Sequence, residues 1–322
     1  FYTWWQAWPA RSALGAWAIR HDLVPAMRSA TLALALACWS WPIVAWCVAA
    51  LPGPGSARRE EMLALDGAGR GRRLLAALRD DRRGLGDWWV DADVWPNGLA
   101  PLIGHVTGLG MEFGIWVEPE MVNPDSDLFR DHPDWALATD GHDPVLDRNQ
   151  LVLDLGRPDA FAAILARLDA LLADHDIAFV KWDMNRDHVQ GSGATGAPGT
   201  HAQTIALYAL LDELRRRHPD VEFESCASGG GRIDLEILRR VERVWTSDCN
   251  DALERQTIQR GASMLIPPEV MGAHIGPRRA HTTGRRHTLA FRAATAMFGH
   301  LGIEWNITRL DERERSELGA ES

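Results

Sequence analysis

Ile177-Ala-Phe-Val-Lys-Trp-Asp-Met-Asn-Arg-Asp187 is the stretch that most constrains the fold. It begins with apolar, β-favouring residues and follows a helical apolar run, which predicts a buried strand. Because side chains alternate along a strand, Lys181 and Asp183 share one face near its carboxyl end. Opposite charges there are costly to desolvate unless both are used, which is typical of a catalytic carboxylate at the mouth of a parallel barrel. The alternative interpretation is a surface salt bridge at a strand end.

Lys181 is the single lysine among 34 basic residues. A primary amine on a flexible stem can donate to a hydroxyl in a tight pocket, which a planar guanidinium does less well. Its position therefore favours a functional role, although one lysine must fall somewhere by chance.

Composition narrows the class of protein. A chain of 322 residues can form one large α/β domain or two small ones. A net charge of −10 argues against nucleic acid as the main partner. The chain has 15 Trp but only 2 Tyr, and tryptophans serve either to stack on sugars or to fill a core. The four cysteines lack metal-site or C-x-x-C spacing, which predicts free thiols in a reducing, cytoplasmic compartment; they are Cys38, Cys47, Cys226 and Cys249.

Residues 1–80 have a different character from the rest of the chain. Seven of the 15 Trp lie in the first 46 residues, and the segment 30–51 carries no charge. By length this segment qualifies as a membrane-span candidate. A buried core helix and a segment whose reading frame has been lost are the other interpretations, and we favour the last. We therefore predict an anomalous Trp/Ala/Arg-rich segment over 1–80, a catalytic domain over 81–322, and no membrane partner.

From residue 81 onward, predicted strands alternate with predicted helices. This alternation indicates parallel βαβ units and favours a (β/α)8 TIM-type barrel. No G-x-G-x-x-G follows a first strand, so a dinucleotide-binding fold lacks its fingerprint. The predicted strands include 111–119, 177–183, 221–226, 243–248, 263–266 and 301–307, and the predicted helices include 99–109, 157–174, 201–218, 234–240, 252–262 and 288–298.

Polar side chains recur at the predicted strand ends, where a barrel carries its chemistry. Asp183 and Asp248 end different strands and would face each other across the barrel mouth. Two such carboxylates suit glycoside hydrolysis, with a separation of about 5–5.5 Å in a retaining enzyme. Alternatively, Asp248 is a helix N-cap, a role that Asn250 or Asp251 could also fill. The remaining strand-end residues are Trp116, Glu118, Lys181, Cys226 and Asn306.

The glycine-rich turn from Cys226 to Arg232 ends another predicted strand. Phosphate binding is the usual interpretation of such a turn. No lysine follows as in a P-loop, and Asp234 comes at once. A sugar hydroxyl approached by backbone N–H groups fits better, since glycine lets the backbone come close.

Several motifs, in order over about residues 80–320, resemble the α-galactosidases of glycoside hydrolase family 36. The motifs are Asp81-Arg-Arg-Gly-Leu-Gly-Asp-Trp88, Gly114-Ile-Trp-Val-Glu-Pro-Glu-Met121, Lys181-Trp-Asp-Met-Asn-Arg186, Ser225-Cys-Ala-Ser-Gly-Gly-Gly-Arg232 and Trp245-Thr-Ser-Asp248.

The resemblance implies a retaining α-galactosidase that acts on raffinose-type sugars, without a cofactor or a metal. It assigns Asp183 as the nucleophile and Asp248 as the acid/base. It also implies a small carbohydrate as the binding partner and an oligomer in the full-length family. The positions that match the galactose pocket are Trp116, Arg148, Lys181, Asn185, Cys226 and Gly229.

The chain departs from the family pattern before residue 81. Family members carry an Asp-Asp-Gly-Trp motif at the end of the second strand, where this chain has Gly67-Ala-Gly-Arg-Gly-Arg-Arg-Leu74. We therefore expect a barrel that is incomplete in its first two strands. Two alternatives to the hydrolase stay open: a degraded, non-catalytic homologue, and a protein tethered to a membrane through 30–51.

Overall fold

The computed structural model describes residues 83–193, 196–306 and 310–321. The predictions for residues 1–80, including the segment 30–51 and the first two barrel strands, lie outside the described residues. Within the described ranges, no helix combines the length and hydropathy needed to cross a membrane.

In the part of the chain that the structure describes, six parallel strands form the main sheet, and their spatial order follows the sequence: β1-β4-β5-β6-β7-β8. The remaining two, β2 and β3, form a separate antiparallel ribbon. The strands are β1 (Gly114–Val117), β2 (Met121–Val122), β3 (Leu151–Val152), β4 (Phe179–Trp182), β5 (Glu222–Ser225), β6 (Arg243–Trp245), β7 (Met271–Ile275) and β8 (His300–Ile303).

Helices precede, connect and follow the strands of the sheet. They are α1 (Ala100–Gly108), α2 (Asp127–Asp131), α3 (Pro158–Asp174), α4 (Thr200–Arg217), α5 (Leu235–Leu238), α6 (Ala252–Ala262), α7 (Leu289–Ala296) and α8 (Glu312–Glu321). A sheet whose neighbours are consecutive in sequence, with helical crossovers, is the pattern of a (β/α)8 barrel, whereas a doubly wound sheet reverses its strand order. The predicted fold class is therefore confirmed.

The longest predicted helices form because their apolar residues recur on one face. In α3, Pro158 occupies the first turn, where its missing N–H costs nothing. The buried side chains of α3 recur at helical spacing and pack onto the sheet; they are Ala160, Ile164, Leu168, Leu171 and Leu172. All four residues of β4 are buried, as expected for a strand covered on both faces.

One predicted strand, 263–266, is wrong. That segment forms turns after α6, and Met264 and Leu265 are each 81% exposed. The strand lies instead at β7, where Gly272 and His274 weaken the apolar pattern. A Cβ at Gly272 would lie 3.0 Å from the Trp245 ring, so the glycine allows close packing.

Candidate active site

Asp183 follows β4 directly and is held by N–H donors. Its own N–H donates to the Val117 carbonyl at 2.8 Å, which extends the β1–β4 ladder. Oδ2 accepts from Trp116 Nε1 at 3.0 Å and from Asn185 Nδ2 at 2.8 Å, and Oδ1 accepts from the Met184 N–H at 2.9 Å. The residue is only 6% exposed. The structure therefore brings Trp116, Asn185 and Asp183 together in one rigid, polar arrangement.

Cys226 follows β5 and adds a thiol to this arrangement. Burial raises the pKa of the Cys226 thiol, and the negative charge of Asp183 and a hydrogen bond to it raise it further. The side chain is therefore a neutral thiol that can donate to the Asp183 carboxylate. The Gly229 N–H donates to Cys226 Sγ at 3.4 Å.

Gly229 is required by the packing of two loops. Its φ is +90°, and a Cβ there would lie 2.7 Å from Ser247 Cα. Only glycine meets both conditions without strain. The turn after β5 thus packs directly against the backbone that precedes Asp248.

Lys181 forms a buried ion pair with Glu224. Lys181 Nζ lies 2.6 Å from Glu224 Oε1, and the two residues are 7% and 2% exposed. Burial disfavours both charges, but their mutual attraction prevails: it raises the pKa of Lys181 and lowers the pKa of Glu224 to about 2. Nζ also lies 4.7 Å from the centroid of the Trp245 ring. The interpretation of Lys181 and Asp183 as a surface salt bridge is therefore wrong.

Asp248 lies beyond β6 and is exposed. Its Oδ1 accepts from Trp245 Nε1 at 3.0 Å. The N-cap of α6 is Asp251, whose side chain accepts from the Leu253 and Glu254 N–H groups. The N-cap interpretation of Asp248 is therefore wrong, and its carboxyl stays accessible at the same end of the sheet as Asp183.

Two other predicted positions are Arg148 and Asn306. Arg148 is on an exposed loop with a left-handed φ of 51°. Its positive charge acts on the Glu118 carboxyl. Asn306 lies three residues beyond the end of β8, the same offset that separates Asp248 from the end of β6.

Sequence reasoning missed the roles of Glu118 and Glu224. Glu118 is fully buried directly after β1, and Glu224 neutralises Lys181 from β5. A usable signal was present for Glu224, because a carboxylate inside an otherwise buried strand is costly without a cation nearby. For Glu118, the sequence indicated a strand end but no partner.

Known proteins resemble this chain over most of its described length. The Melibiase family model matches residues 61–321. The α-galactosidase of Escherichia coli is 59% identical over 235 residues, which are 73% of this chain and 33% of the relative. The α-galactosidase AgaA of Geobacillus stearothermophilus is 43% identical over 245 residues, or 74% of this chain and 34% of that protein. The chain thus spans about a third of the length of these relatives.

Solved structures give the same result. The crystal structure of the family 36 α-galactosidase AgaA superposes with a TM-score of 0.73 at 42% identity, covering 75% of this chain and 34% of that one. A variant of AgaA in complex with raffinose has a TM-score of 0.73 at 41% identity, covering 76% of this chain and 35% of that one.

Proposed function

The chain belongs to the melibiase family, and from this premise we propose that it is the catalytic barrel of a retaining α-galactosidase. Its substrates are terminal α-linked galactose residues of raffinose-type oligosaccharides. The observation that carries the proposal is the pair of strand-end carboxylates: Asp183, buried and fixed by donors after β4, and Asp248, exposed after β6. The α-galactosidase names of the relatives and the raffinose bound to one of them support the choice of substrate.

Asp183 acts as the nucleophile. A carboxylate oxygen attacks the anomeric carbon, the glycosidic bond breaks, and a covalent galactosyl–enzyme ester forms. Trp116, Asn185 and the Met184 N–H hold the carboxylate in one orientation, so little reorganisation precedes the attack.

Asp248 acts as the acid and then as the base. It donates its proton to the leaving glycosidic oxygen in the first step. It then removes a proton from the water that attacks the ester, which releases galactose with the original anomeric configuration. Exposure suits this role, because the group must exchange protons with the leaving group and with water.

The remaining pocket positions bind the sugar in this proposal. Lys181 donates to a galactose hydroxyl while Glu224 maintains its charge, and Arg148, Cys226 and Gly229 complete the binding surface. A reducing, cytoplasmic compartment is proposed because Cys226 and Cys249 are both free thiols.

Turnover by the purified 322-residue chain tests the proposal. We expect release of p-nitrophenol from p-nitrophenyl α-galactoside and of galactose from raffinose, abolished in Asp183→Asn. Asp187→Asn is the matched control, since that aspartate is exposed and four residues away. A folded chain with no turnover, or with turnover that survives Asp183→Asn, would favour the non-catalytic homologue.

A further inference from the structure

Glu118 lies behind the proposed nucleophile and connects to it through Asn185. It follows β1 and is 0% exposed. Its Oε1 accepts from the Asn185 N–H at 2.5 Å, and the Asn185 side chain donates to Asp183 Oδ2 at 2.8 Å. Two hydrogen bonds through Asn185 therefore link Glu118 to the Asp183 carboxylate.

The environment of Glu118 favours its protonated form. Burial is the larger cause and repulsion by Asp183 the second, and together they raise the pKa of Glu118 to about 8. The hydrogen bonds from Asn185 and the positive charge of Arg148 oppose this shift only in part. Arg186 also approaches from the loop after β4, but its Nη1 donates to the Gln150 carbonyl at 2.8 Å. A carboxylic acid at this position avoids a second buried negative charge beside Asp183.

Gln150 offers a partner for the proton. Its Nε2 lies 3.3 Å from Glu118 Oε2, and its buried Oε1 has no hydrogen-bond partner among the described residues. The two ends of a carboxamide are assigned by their partners. A half turn of the amide places the unpartnered oxygen opposite Glu118 Oε2, where an O–H group would donate to it.

We propose that Glu118 is a positioning residue that works as a neutral carboxylic acid. It accepts from the Asn185 backbone, donates to Gln150, and thereby holds Asn185 against the nucleophile without placing a second charge there. This inference rests on the proposed function for its effect on turnover, whereas the protonation of Glu118 can be measured without any substrate.

The pH profile of kcat/KM tests the positioning role. p-Nitrophenyl α-galactoside is the substrate, since its leaving group needs no proton from Asp248. We expect wild-type kcat/KM to fall above the Glu118 pKa of about 8, approaching tenfold per pH unit. Glu118→Gln keeps a neutral group of the same shape, so its kcat/KM below that pH should stay within about threefold of wild type, and its alkaline fall should disappear.

Glu120→Gln is the matched control. Glu120 is also buried near the end of β1, but it pairs with Arg232 and Trp182 instead of Asn185. In the Glu120→Gln variant, kcat/KM should still decrease at alkaline pH as it does in wild type. The same alkaline fall in Glu118→Gln as in wild type, or a folded Glu118→Gln variant that is inactive below the pKa, would overturn the proposal.

Urea unfolding provides the readout that needs no turnover. A carboxyl whose folded pKa is raised stabilises the fold fully below its unfolded value of 4.5, and this stability is lost as pH rises toward about 8. Across that window the unfolding constant of wild type should rise relative to Glu118→Gln, by up to about tenfold per pH unit. Parallel curves would overturn the proposal. If the pH curves of the two unfolding constants diverge in a chain that shows no turnover, the result would support protonation of Glu118 and count against the proposed hydrolase.

Discussion

The carboxyl ends of β4 and β6 carry the same residue type in opposite environments. Asp183, after β4, is 6% exposed and accepts three N–H donors. Asp248, after β6, is exposed and accepts from Trp245. A nucleophile benefits from one fixed orientation, whereas a proton carrier must meet both the leaving group and water. Two aspartates can therefore be assigned to different steps by their surroundings.

Asp183→Asn should cause the largest loss in this comparison. The amide preserves the shape but cannot form the ester, so kcat/KM should fall at least about a thousandfold for every substrate. Steady-state kinetics with p-nitrophenyl α-galactoside and raffinose measure this. A similar loss for Asp187→Asn would show that the effect is not specific to the end of β4.

Asp248→Asn should cause a loss that depends on the leaving group. Raffinose needs a proton on its leaving oxygen, so kcat/KM should fall about a hundredfold or more, while the value for p-nitrophenyl α-galactoside should change much less. The ratio of the two losses is the measurement. Equal losses would contradict the role of Asp248 as the acid and remove the contrast between the two strand ends.

Glu224→Gln tests β5, the strand between the two aspartates. The substitution leaves Lys181 buried without its counter-charge, so the free energy of unfolding near neutral pH should fall by about 3–5 kcal/mol. Because the pKa of Glu224 is lowered to about 2, its stabilisation is present above the unfolded value of 4.5 and is lost as pH falls toward 2. The difference between the variant and wild type should therefore shrink in acid.

Glu222→Gln is the control on the same strand. Its carboxylate pairs with Arg243 at 2.8 Å, but its side chain is 30% exposed. Arg243 is itself buried but still faces Glu224 at 3.8 Å, and solvent weakens its pair with Glu222, so the expected loss is smaller than for Glu224→Gln. Urea unfolding of both variants measures the difference, and equal losses would show that burial of the Lys181–Glu224 pair is not what sets its contribution.

The smallest expected changes in kcat/KM come from replacing the tryptophans that donate to the two aspartates, Trp116 and Trp245. Trp116→Phe removes a donor from the buried Asp183, and kcat/KM should fall roughly 10- to 100-fold, since hydrogen bonds to charged groups contribute about 1.5–3 kcal/mol. Trp245→Phe removes a donor from the exposed Asp248, where water can replace it, so only a few-fold loss is expected. Equal losses would mean that burial does not distinguish the two carboxylates.

Much of the barrel could be predicted from the sequence because its helices have strong periodicity. The helix at 252–262 and the strands around Val180 and Phe223 lie where the apolar pattern predicts them. Strand β7 could not be found in this way, because Gly272 is selected by its approach to Trp245, a neighbour distant in sequence. Local pattern carries no information about such a contact.

In the candidate site, too, single residues could be predicted from the sequence, whereas their contacts could not. Asp183 could be predicted from the strand-end pattern, and the resemblance added the roles of Asp183 and Asp248. The hydrogen bonds from Trp116 to Asp183 and from Asn185 to Glu118 span 67 residues each. These hydrogen bonds form only because strands β1 and β4 pair in a register that places Trp116 beside Lys181. The sequence alone does not give this register.

Azide rescue distinguishes the roles of Asp183 and Asp248 by the product that each variant forms. Small substitutions at Asp183 and at Asp248 open space for azide, and the anomeric configuration of the galactosyl azide product is read by NMR. Asp183→Gly should give the β-azide, because azide replaces the nucleophile on the opposite face of the sugar, and Asp248→Gly should give the α-azide, because azide attacks the covalent intermediate. The same anomer from both variants, or the reverse assignment, would contradict Asp183 as the nucleophile and Asp248 as the acid/base.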